Sequence, residues 1–70
     1  MFPNIKAEQA RHNKTNRQLA IDLSVSEKTI TNWMSGRTEI PASKLLAMSR
    51  MFGVTIDYLL GAADVKPHAG

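Results

Sequence analysis

"TNRQLAIDLSVSEKTITNW", Thr15 to Trp33, decides the fold of this chain. Thr15 and Ser26 each stand where a hydroxyl can accept from a free N–H of a helix's first turn. Thr15-Asn16-Arg17-Gln18 matches a capping box, with Gln18 able to reach back to the cap N–H. The spacing predicts one helix from Asn16 to about Leu23, with Leu19, Ala20 and Leu23 turned inward. It predicts a second from Ser26 to near Ser35, stopped by Gly36. Ser24-x-x-Glu27 also fits a capping box, but that register leaves too few residues to turn between the helices. Ala20 is small enough to let the second helix cross closely. Val25 is the apolar residue that buries the turn.

The second helix carries two kinds of residue. With Ile30 at zero and 100° per residue, Trp33 falls at about −60° and Met34 at about +40°. Lys28, Thr31, Asn32 and Ser35 gather on the other side, with Glu27 on the flank. A surface helix built for stability would favour Ala, Glu, Lys and Gln; Thr and Asn are mediocre helix formers. What these residues share is hydrogen-bonding capacity. Two short helices joined by about three residues, the second apolar inside and polar outside, form a helix-turn-helix arrangement.

The flanking sequence extends the helical reading, and no period-two alternation interrupts it. A first helix starts around Pro3 or Asn4 and runs to about His12, with Ile5, Ala10 and Phe2 inward; Pro suits a first helical position. Pro41 opens a fourth, "PASKLLAMSRMF", whose stripe is Leu45, Met48 and Phe52, widened by Leu46 and Met51 and closed by Gly53. Thr55 caps a last short helix, "IDYLL", with Asp57 at its positive end and Gly61 as its stop. The fold class is all-α, a five-helix bundle over residues 1–61, with 62–70 a flexible tail. His12 reads as a surface histidine and Trp33 as core.

Seventy residues with 9 Lys and Arg, 6 Asp and Glu and no Cys make one small, mildly basic domain without disulfides or thiolate metal sites. The basic excess lies between Arg11 and Arg37, where Arg11, Lys14, Arg17, Lys28 and Arg37 face only Asp22 and Glu27. No segment approaches the ~18 apolar residues of a membrane span, and a cytoplasmic, nucleoid-associated protein is expected. There is no phosphate-cradling glycine loop, no metal-ligand cluster and no nucleophile–base pair, so neither an enzyme nor a cofactor is expected.

Residues 5–61, and most specifically "LA…L.VS..TI..W..GR", "P…LL" and "FGVTIDYLLG", resemble the phage repressor and Cro-like family of helix-turn-helix DNA-binding domains. The resemblance implies a regulator of transcription, a repressor in a bacterium, phage or mobile element, bound to double-stranded DNA through helix 26–35. It places base readout at Glu27, Lys28, Asn32 and, as an addition, Thr31. It places phosphate contacts at Asn16, Arg17 and Arg37. A pseudo-palindromic operator and a homodimer are implied, with Ile56, Tyr58, Leu59 and Leu60 offering the dimer surface. The family often pairs an Arg in the first helix with a Glu late in the third. Gln9 and Met34 stand there instead, so neither charge is left uncompensated. Ser24 stands where the family's turn often has Gly. The alternative on the same fold is an antitoxin with a toxin partner, or a protein-binding adaptor.

Overall fold

A computed structural model of the chain describes residues 1–61. Five helices follow in order: α1 Pro3–Arg11, α2 Asn16–Leu23, α3 Glu27–Ser35, α4 Ala42–Phe52 and α5 Ile56–Leu59. Among the described residues there is no strand. The tail expected at 62–70 lies outside the described residues. No helix among them is long and apolar enough to cross a membrane.

Three helices begin on the expected hydroxyl caps. Thr15, Ser26 and Thr55 each accept from the N–H three residues on, at Gln18, Thr29 and Tyr58, all at 3.1 Å. The capping box at Thr15 is only half made, because the Gln18 amide donates instead to Asp22 Oδ1 at 3.0 Å. A charged acceptor one turn ahead is the stronger partner. Pro41 caps α4 rather than opening it. Ser24 ends α2 in the left-handed region, at φ 58° and ψ 42°, so this serine tolerates the conformation usually given to Gly. The Lys44 ammonium reaches across from α4 to donate to the Leu23 carbonyl at 2.7 Å, capping the α2 C-terminus.

Each helix sends one completely buried apolar side chain to the centre: Ile5, Leu19, Ile30, Met48 and Leu59. Ala20, Leu23, Trp33, Met34, Ile40, Phe52, Val54 and Tyr58 complete the core, and Phe2, Val25, Leu45 and Met51 pack against it. α2 packs on α3, α4 on α5, and α1 closes on α5.

Three expectations about burial are corrected. Ala10 is exposed, while Glu8 and Gln9 are buried. With Ile5 at zero, Ala10 falls at about 140°, whereas Glu8 and Gln9 fall within about 60°; helix geometry outweighs side-chain polarity. Leu46 is 42% exposed, leaving the α4 stripe narrower than expected. Tyr58 and Leu59 are buried in the monomer's own core and offer no dimer surface, because the single turn of α5 is held between α1 and α4.

Candidate nucleic-acid interface

Anchoring of α3 determines what it can present. Ile30, Trp33 and Met34 are buried beneath it, and Ser26 fixes its first turn. At the other end the Asn32 carbonyl accepts from the Arg37 N–H at 2.9 Å and from the Ser35 hydroxyl at 3.1 Å. The chain therefore reverses tightly through Gly36, at φ 79°, and holds Arg37 beside the helix end. The Met1 side chain lies over Gly36, so close that an added Cβ would stand 2.5 Å from its Cε. The residue two positions before α1 thus lies over the α3 terminus.

Lys28 and Thr31 are exposed and Asn32 is half-buried, on the face turned away from Ile30. Glu27 is exposed in the first turn of α3, on the flank of this group, where its charge also favours the positive end of the helix. The Thr31 hydroxyl donates to the Glu27 carbonyl at 3.2 Å. Its donor is thereby committed, leaving a lone pair and a methyl group to face outward. The Asn32 amide makes no side-chain hydrogen bond among the described residues, so both its donor and its acceptor remain available.

The start of α2 carries Asn16 and Arg17, the residues expected to meet phosphates. Asn16 is half-buried, and its Oδ1 accepts from Gln9 Nε2 at 2.9 Å. Arg17 is exposed. Of the five cations between Arg11 and Arg37, Arg11 pairs with Glu8 and Lys14 with Asp22. The Lys14 ammonium, and then the Gln18 amide, hold the Asp22 carboxyl below the usual carboxylate range. Arg17, Lys28 and Arg37 have no ion pair among the described residues. These three are the cations that sequence reasoning assigned to DNA.

Sequence reasoning missed the polar contacts between distant elements. Glu8 is fully buried; the Tyr58 hydroxyl donates to its Oε2 at 3.1 Å, and His12 and Arg11 stand 3.6 and 3.7 Å from its oxygens. Asn4 Nδ2 donates to the Tyr58 carbonyl at 2.6 Å, so α1 grips α5 at both the hydroxyl and the backbone carbonyl of one tyrosine. Burial, with the Glu8 carboxylate adding to it, pushes the Tyr58 phenol above its ordinary value. His12 also lies with its ring 5.1 Å from that of Phe52. The helical period of α1 could have revealed the burial of Glu8 and Gln9. Nothing local points to Lys44, whose partner is 21 residues away.

Comparison with known proteins agrees with this geometry. The family model described as Helix-turn-helix matches residues 5–59. Over 64 residues the chain is 39% identical to the HTH-type transcriptional activator BcrR of Enterococcus faecalis, a match covering 89% of this chain and 31% of that protein. The chain therefore spans less than a third of that relative. No solved structure matches the chain. A turn held between two capped helices, an anchored α3 with a polar outer face and a family match over most of the chain lead to one conclusion: the protein belongs to the phage-repressor and Cro-like helix-turn-helix family, whose members are DNA-binding transcription regulators and not enzymes.

Proposed function

We propose that this chain reads a specific operator by laying α3 in the major groove. The observation that supports the reading is that Arg17 on α2, Lys28 on α3 and Arg37 just after α3 are all exposed and, among the described residues, free of ion pairs, so that both helices of the motif carry an uncommitted cation. Phosphate contacts set register and most of the affinity, and base contacts select sequence. Asn16 and Arg17 at the start of α2 and Arg37 after α3 take the phosphates. Lys28 suits guanine O6 or N7, Asn32 suits adenine, Glu27 suits cytosine N4, and the Thr31 methyl suits thymine. Two copies on a pseudo-palindrome, with half-sites about one helical turn apart, would supply the affinity a single module lacks. Leu60, 43% exposed, and half-buried Ile56 are what remains of the expected dimer surface. The protein works where the DNA is, in the cytoplasm, and it represses by occupying a promoter-overlapping site. The relative named above is called an activator, so the sign of regulation is a separate test.

Selection of bound duplexes from a random pool is the direct experiment. An enriched motif with two-fold symmetry is expected, and recovery of no motif from duplexes that bind would remove sequence readout. A promoter–reporter pair carrying the motif then separates repression, expected here, from activation.

A further inference from the structure

The Gln9–Asn16 hydrogen bond joins a buried residue of α1 to the first residue of α2, where a phosphate contact is proposed. Gln9 is 8% exposed, and its backbone carbonyl accepts from the Lys14 N–H at 2.8 Å, which ties it to the loop leading into α2. Beside it Glu8 is held by Tyr58 at 3.1 Å, so the register of this part of α1 is fixed from α5. The Gln9 amide therefore reaches Asn16 from a constrained position. An asparagine amide has two unlike ends, an oxygen that only accepts and a nitrogen that only donates. A phosphate only accepts, so one orientation of Asn16 can bind it and the flipped one presents oxygen to oxygen.

We infer that Gln9 is a positioning residue for DNA binding: by donating to Asn16 Oδ1 it holds the Asn16 N–H groups outward, ready for a phosphate. Nδ2 has no partner among the described residues. The backbone at the head of α2 and the Arg17 guanidinium add donors beside it, and the helix dipole favours an anion there. Orienting the amide before DNA arrives removes an ordering cost from the binding step. This assignment rests on the DNA-binding reading above. It puts the specificity-neutral part of the interface under the control of a residue that does not itself touch DNA.

A double-mutant cycle tests it, using the full chain and both the selected operator and a short random-sequence duplex. A carboxylate at position 9 can only accept, so Gln9→Glu should turn Asn16 around. Affinity should fall roughly tenfold for both duplexes, as expected on losing one hydrogen bond to a charged group. In the Asn16→Ala background the same Gln9→Glu change should cost less than about threefold, the residue of added long-range charge. Equal losses in the two backgrounds, or no loss in either, would overturn the assignment while leaving DNA binding intact. Absence of duplex binding by the wild-type chain would instead remove the reading it rests on, and the assignment with it. Should Gln9→Glu unfold the domain, the wild-type side-chain amide resonances still decide the matter. The Asn16 NH2 pair should shift on titration with duplex and the Gln9 pair should barely move; a silent Asn16 would overturn the proposal.

Discussion

Asn32 illustrates how much depends on which side chains already have partners. Its carbonyl holds the turn after α3, yet its amide is not engaged by any described residue. Asn32→Ala should therefore leave the fold in place and relax preference at one base pair by about 1–3 kcal/mol, with binding to random duplex nearly unchanged. A uniform loss across sequences would contradict base readout. Arg17→Ala should behave in the opposite way, weakening all duplexes and lowering the salt slope by about one; an unchanged slope would take Arg17 off the phosphate surface. Thr31, with its donor tied to Glu27, ranks below both Asn32 and Lys28. Tyr58 gives a residue-scale prediction about pH. Its phenol is raised above 10.0 by burial and then by the Glu8 carboxylate, so the fold prefers the protonated form. Its contribution is fully present below the unfolded tyrosine's pKa, near 10, and is lost as pH rises through the raised value. Urea midpoints should fall above pH 10 in the wild type. In Tyr58→Phe this alkaline loss should largely disappear, although the variant should be less stable at pH 7 by about 1–3 kcal/mol because Glu8 loses a donor. An alkaline loss of the same size in the variant would refute the coupling.

At the scale of elements, helix starts and stops were legible because capping is local chemistry. A hydroxyl, a free N–H three residues on and a change in backbone direction all lie within four residues. Ser26→Ala should cost about 1 kcal/mol and fray the very turn that carries Glu27 and Lys28, so operator affinity should fall along with thermal stability. Ser24→Gly should act the other way. A left-handed L-residue costs roughly 1–2 kcal/mol and glycine escapes that penalty, so part of it should return as a higher melting temperature. A lower one would mean that the Ser24 side chain has a use its geometry does not show. Where the element reading failed, it failed by trusting polarity over period. Ala10, expected inward, is exposed, although the same angular count that buries Trp33 and Met34 turns it outward and brings Glu8 and Gln9 inside. The second half of the capping box failed for a different reason. Gln18 has two possible partners, and the motif contains only one of them.

For the whole molecule, five helices share one small core, and a domain of this size rarely holds more than roughly 3–5 kcal/mol of stability. Leu59 is completely buried on a helix of a single turn. Leu59→Ala, at about 2–5 kcal/mol for such a truncation, should consume most of that margin. Circular dichroism should show a largely unfolded chain at 37 °C, whereas truncating exposed Leu60 should leave the melt almost unmoved. Tyr58 and Leu59 left the expected dimer surface at this scale, since whether an apolar side chain of α5 faces outward or its own core depends on α1 and α4. The candidate DNA surface shows the same division. Which side chains look outward from α3 was readable, because a helix turns by a constant angle and Ile30 and Trp33 mark its inner face. The sequence by itself determined the helices, their caps, the turn and the outer face of α3, all of which depend on residues close together along the chain. Only the tertiary structure decided that Glu8 would be clasped by Tyr58, that Lys44 would cap α2, that of the five cations from Arg11 to Arg37 it is Arg17, Lys28 and Arg37 that have no ion pair among the described residues, and that Gln9 would donate to Asn16. Those are contests between partners brought together by packing, and a linear pattern does not contain the distances that settle them.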